Sequence, residues 1–126
     1  MGQKLLRLAV FVTGIALMLI GLIALTDPAR VAAGLGITSV NLLGAASLRA
    51  DLFGFFETAG VLAFLAAVRR MPELLMAPLM LMALALFGRV VALFVVPFDI
   101  TLLPPMAAEA VMAGLFSAAR FLGLEE

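Results

Sequence analysis

Residues 8–26 read LAVFVTGIALMLIGLIALT, a run of 19 positions without one charged side chain. A hydrocarbon core about 30 Å thick is crossed by roughly 20 apolar residues in a helix, so this run is long enough to span a membrane. Lys4 and Arg7 ahead of it resemble the basic region of a secretory signal. The apolar run, however, exceeds the roughly 7–15 residues of a signal core, and no convincing small-x-small cleavage site follows, so the segment is expected to stay as a span.

The rest of the chain agrees with that choice of solvent. Of 126 residues, 66% are hydrophobic and 13% charged, too apolar a mixture for a domain of this size to hide from water. Net charge is zero, so there is no basic surface for nucleic acid and no acidic tail. The sequence contains no Cys, His, Trp or Tyr, which removes disulfides, thiolate and imidazole chemistry, His- or Cys-ligated haem and Cys/His zinc sites. Chemistry is left to carboxylates, Arg, Lys and hydroxyls, and no metal or cofactor is expected.

Further spans follow from the same reading. After the first, TDPARVAAGLGITSVN offers Thr26 or Asp27 as a helix cap, Pro28 for the first turn and Gly34 or Gly36 as a stop, which predicts a short interfacial helix connecting two spans. A second span runs from about Leu48 to Val68 and ends at Arg69 and Arg70. A third begins near Pro72, with Glu73 beside its N-terminus and a kink expected at Pro78, and continues to about Val96. A fourth runs from about Pro105 to Leu122. The expected architecture is a single all-α integral membrane four-helix bundle with spans over about 5–26, 48–68, 72–96 and 105–122. Lys4, Arg7, Arg69, Arg70 and Arg120 fall at one end, which the positive-inside rule assigns to the cytoplasm, giving an N-in, C-in topology. Gly14 and Gly21 share one face of the first span, and Ala59, Ala63 and Ala67 form a small-residue stripe on the second, so these faces are expected to pack.

Several charges lie where lipid should be. Glu57 is roughly 12 Å below Arg49 on the descending second span, and Arg89, eight residues before Pro97, is also roughly 12 Å deep. Glu109, five residues after Pro104, is roughly 7 to 8 Å deep. An ionised side chain at the centre of an inserted helix costs about 2.5–3.5 kcal/mol, so these groups are expected to face one another rather than acyl chains. The predicted site is a cluster of Glu57, Arg89 and Glu109, with Arg49 and Asp51 nearer the mouth and Asp99 in the loop above. Arg49, Phe53 and Glu57 follow an i, i+4, i+8 pattern on one helix face, whereas Asp51 is rotated away. Arg89 has a planar fork able to grip carboxylates. Thr13 and Thr58 are expected to bond to their own backbone carbonyls. Buried charges of this kind also serve simply to fix helix register.

The order of features resembles a known family. A first span followed by Asp27, Pro28, Val31, Leu35, Gly36 and Ile37, then Asn41, the LRADLFG entry to span two, Phe87-Gly88-Arg89, Asp99 and Glu109 is similar to the uncharacterised four-helix bacterial membrane proteins of the DoxX-like group. The similarity covers nearly the whole chain, although Phe53-Gly54 stands where the family pattern has a Gly pair. It implies a multi-pass protein of the bacterial inner membrane in which Arg49, Asp51, Arg89 and Glu109 matter, and it brings no established activity.

Three functions fit these residues. The first is a pocket in the outer half of the bundle that binds a lipid-like or other hydrophobic small molecule, with Arg49, Asp51, Phe53, Glu57, Arg89, Asp99 and Glu109 as candidate binding residues and with a second copy or an accessory membrane protein as partner. The second is an isomerase- or cyclase-like membrane enzyme using Glu57 and Glu109 as acid and base on an isoprenoid or sterol-like substrate. The third is a small proton-coupled transporter, which ranks last because the first span carries no acid.

Overall fold

The structure is a computed structural model that describes residues 1–125. Five α-helices form: α1 (Gly2–Thr26), α2 (Pro28–Gly34), α3 (Leu42–Arg69), α4 (Met76–Val95) and α5 (Leu103–Leu122). Short 3₁₀ turns, Pro72–Leu75 and Ile100–Leu102, lead into α4 and α5, and no strand occurs among the described residues. Four of these stretches, Gly2–Thr26, Leu42–Arg69, Pro72–Val95 and Ile100–Leu122, are long and apolar enough to cross a bilayer. The protein is therefore an all-α, multi-pass membrane bundle.

Its surface is arranged for lipid. Leu84, Phe87, Val111 and Phe121 on the long helices are each at least 60% exposed. In water such faces would be a severe liability, whereas hydrocarbon solvates them at no cost.

Where each helix begins and ends follows from local chemistry. The α3 helix starts at Leu42, six residues ahead of the expected Leu48, because the Asn41 side chain accepts a hydrogen bond from Gly44 N at 2.8 Å and so caps it. Helix α2 stops in the way its glycines predict: Gly36 has φ of 72°, Ile37 N donates to Ala32 O and Gly36 N donates to Ala33 O, a Schellman pattern. Asp27 occupies the N-cap of α2 without a side-chain cap bond, while Thr26 Oγ1 turns back to donate to Leu22 O at 3.1 Å. Pro97 biases the residue before it toward extended backbone, and Val96, at φ −119° and ψ 155°, ends α4. Pro78 sits in the first turn of α4, where its missing N–H has no intrahelical role. The 3₁₀ turn before Met76 therefore takes the place of the mid-helix kink expected there.

The small-residue faces do pack. Gly14, Gly21, Ala59 and Ala63 are buried, and α1 and α3 form the most extensive helix pair of the fold. A Cβ built on Gly14 would lie 2.7 Å from Phe64 N, and one on Gly60 would lie 2.7 Å from Met18 N. Only glycine lets the two backbones approach this closely. Gly54, by contrast, has nothing within 4 Å of a Cβ, so no described helix approaches closely at that position. The main core continues from this seam through Leu75, Met82 and Phe116 toward α4 and α5. A second cluster, Ala24, Ala32 and Leu52, fastens α2 against the ends of α1 and α3.

Antiparallel connection brings both chain ends to the same end of the bundle, where Gln3 Nε2 donates to Leu122 O at 2.7 Å. The α4–α5 connection lies at the other end.

Candidate functional site

Arg89 and Glu109 each lie six residues from the helix ends that flank the α4–α5 connection, roughly 9 Å into their helices. Equal depth on adjacent antiparallel helices brings them together. Arg89 Nε donates to Glu109 Oε1 at 2.8 Å and to Oε2 at 2.9 Å. A single N–H thus bridges both carboxylate oxygens, in place of the two-pronged fork the guanidinium permits. Glu109 is the one buried charged residue among those described, at 8% exposure, and Arg89 is its partner there.

The Nη groups of Arg89 have no hydrogen-bond partner among the described residues, and neither nitrogen is an isolated buried atom. Its side chain is 30% exposed, against 11% for Glu109. Arg89 and Glu109 border a cavity of about 510 Å³ lined from α1, α3, α4 and α5. Leu52, Phe55 and Phe56 wall it from α3, and Met82, Ala85 and Met112 from α4 and α5. Leu35, just past α2, closes part of one side. Polar groups are few: Thr13, Arg89 and Glu109. Thr13 was expected to satisfy its hydroxyl on its own helix, yet it lines this space and bonds no described residue.

The remaining expected members of the site lie elsewhere. Glu57 is not part of the cavity wall. It turns toward α1, where a Cβ on Gly21 would meet its Oε1 at 2.5 Å, and that oxygen is buried without a hydrogen-bond partner. The missing side chain of Gly21 makes the room that Glu57 fills. Arg49 shares this α1-facing side, and its Nε donates to Leu25 O at 2.8 Å. Leu25 is in the last turn of α1, whose carbonyls lack partners within the helix, so Arg49 closes that end and neutralises its negative dipole. Phe53 also lies off the cavity wall, and Asp51 is exposed and pairs with no described residue. Asp99 caps the Ile100–Leu102 turn: its Oδ1 accepts from Thr101 N and Thr101 Oγ1, both at 2.8 Å. Those two donors, the backbone one first, hold its carboxyl below the ordinary aspartate range.

Of the predicted three-member cluster, the structure joins Arg89 to Glu109 and leaves Glu57 on a face of α3 turned to α1 at Gly21. The cavity-lining residues of α3, Leu52, Phe55 and Phe56, follow i, i+3, i+4 spacing and face roughly 100° away from Arg49, Phe53 and Glu57. That spacing is present in the sequence, whereas Arg49 and Glu57 belong to a different face of α3. No group of three acidic side chains suited to a metal ion occurs among the described residues.

Fold and site together define a four-span membrane bundle with an apolar, partly open cavity, one wall of which carries an ion pair. No family model, curated protein or solved structure matches the chain.

Proposed function

We propose that the protein binds a hydrophobic small molecule or lipid tail in the cavity beside Arg89 and Glu109, through a polar group that accepts hydrogen bonds. The observation that carries this reading is the set of Arg89 Nη donors left over once Nε has bridged Glu109, at the edge of an apolar space of about 510 Å³. That volume is within the roughly 300–1,000 Å³ of small-molecule sites. Because the guanidinium and carboxylate neutralise each other, a neutral lipophile with a carbonyl or similar acceptor fits better than an anion. Phe55, Phe56 and Met112 supply adaptable apolar contact.

The acid–base reading draws less support, since Glu109 reaches the cavity and Glu57 does not. The proposal includes a bacterial inner-membrane location with both termini in the cytoplasm, which rests on the Lys and Arg bias, and membership of the DoxX-like group, which rests on motif order. A second copy or an accessory membrane protein is the partner class it allows.

Native mass spectrometry of the protein released gently from membranes provides the test. Wild type is expected to carry a discrete lipophilic adduct, and Ala85→Phe, which fills the cavity, is expected to lose it while keeping its helical content. Equal adduct occupancy in both, or none in wild type, overturns the proposal.

A further inference from the structure

At the opposite end of the bundle, where the chain termini and the α3–α4 turn meet, lies a second cavity of about 350 Å³ between α1 and α3. Lys4 and Arg7 reach it from α1 and Arg70 from the end of α3. No carboxylate lines it, and no described carboxylate forms an ion pair with any of the three. Glu73 and Glu125 belong to the same end of the molecule, yet both are exposed and neither borders the cavity. Lys4 and Arg70 are exposed and Arg7 is half-buried, so the three cations stand where an anion arriving from the interface can reach them.

The walls have a polarity gradient. Lys4, Arg7, Leu8 and Phe11 follow i, i+3, i+4, i+7 spacing and so share one face of α1. Phe11 lies about 10 Å farther into the helix than Lys4, and its ring packs at a 37° tilt against Phe64 of α3, with the centroids 5.4 Å apart. Val68 continues the apolar floor. Cations at the water end with aliphatic and aromatic groups below them reproduce the order of a phospholipid, phosphate outermost and acyl chain inward.

Arg70 adds an independent observation. It occupies the C-cap of α3 with φ 56° and ψ 42°, the left-handed conformation that glycine adopts without strain. Among the described residues its Nη1 donates only to Glu125 O, at a long 3.3 Å. Backbone geometry alone favours glycine at this position, and among the described residues the guanidinium gains one long hydrogen bond.

We infer that Lys4, Arg7 and Arg70 form a binding site for the phosphate of an anionic phospholipid, whose acyl chain lies along Leu8, Phe11 and Val68. The site is independent of the Arg89–Glu109 cavity, which sits at the other end of the spans. Basic pockets between transmembrane helices at the interface are suited to such headgroups, with each Lys or Arg contributing comparably to attraction.

The unusual backbone of Arg70 supplies a clean test. Purified protein is titrated with phosphatidylglycerol and with phosphatidylcholine of the same acyl chains, and binding is read by native mass spectrometry for wild type, Arg7→Gln, Arg70→Gly and the control Arg30→Gln. Wild type and Arg30→Gln should prefer phosphatidylglycerol. Arg7→Gln and Arg70→Gly should each bind it about 5-fold more weakly, the loss expected for one basic side chain near the surface. Arg70→Gly should melt in detergent no lower than wild type, because it relieves the left-handed residue, so its binding loss cannot be attributed to misfolding. Inorganic phosphate at millimolar concentration should fail to displace the lipid. Equal retention of the two lipids, unchanged binding in Arg70→Gly, or displacement by inorganic phosphate alone would overturn the inference, the last by assigning the site to a free anion.

Discussion

Replacing Gly14 by Ala tests the seam on which the rest of the bundle is built. The new Cβ would stand 2.7 Å from Phe64 N, 3.0 Å from Gly60 O and 3.1 Å from Phe64 Cα, all of them backbone atoms that no rotamer change can move. Ordinary contact begins at 3.4 Å, so α1 and α3 must part by about 0.7 Å at this level. Overpacking of this kind costs about 1–3 kcal/mol. Alanine also stabilises a helix relative to glycine by up to about 1 kcal/mol, which masks part of the loss. Gly54→Ala provides the reference, because Gly54 lies in the interior of α3 with nothing within 4 Å. The propensity gain is common to both substitutions, so their difference isolates the backbone contact. Equilibrium unfolding in mixed micelles should find Gly14→Ala less stable than Gly54→Ala by about 1–3 kcal/mol. If the two agree within about 0.5 kcal/mol, the scatter of ordinary surface changes, the close α1–α3 approach is refuted.

Arg89→Leu strands the buried Glu109 carboxylate and should destabilise the fold by about 2–4 kcal/mol, somewhat less than for a fully buried pair because Arg89 is 30% exposed. Arg89→Lys keeps a donor near the carboxylate but loses the Nη groups, so detergent unfolding should show most of the stability retained while the cavity adduct disappears; equal melting of the Leu and Lys variants would contradict the pairing. Arg49→Ala removes the donor to Leu25 O and should cost about 1 kcal/mol in the same unfolding assay, with no change in adduct binding. For Asp99, the folded carboxyl is depressed by the Thr101 donors, so its contribution is complete above the unfolded aspartate range and is lost only as pH falls through the lower folded value. Carboxyl-carbon NMR should therefore show Asp99 titrating below ordinary aspartates, and a normal or raised midpoint would contradict the capped turn.

Much of this fold was legible because hydrophobic length is a one-dimensional property. The uncharged run at 8–26 and the Pro and Gly punctuation around 28–36 specify spans and turns without tertiary information. The pairing of Arg89 with Glu109 was accessible too, since residue counting puts both in the outer half of neighbouring antiparallel spans, at roughly 12 Å and roughly 7 to 8 Å. Glu57 shows where that reasoning ends. Depth says nothing about rotation around the helix axis, and the rotation of α3 is set by the close approach of Gly14 and Gly60, which turns Glu57 into the gap at Gly21. The cavity face of Leu52, Phe55 and Phe56 was hidden for a related reason: in a chain this apolar, residues facing lipid and residues facing a cavity have the same composition. Asn41, whose side chain starts α3 early, was visible as a capping type but lay outside the expected span.

The account depends most on the Arg89–Glu109 wall and the space beside it. An experimental structure determined in lipid nanodiscs measures both directly. It should find Arg89 Nε near 2.8 Å from Glu109 and elongated density against Phe55, Phe56 and Met112, ending at the Arg89 Nη groups. An Arg89 side chain turned outward into acyl chains, or a cavity closed by its own walls, would contradict the account.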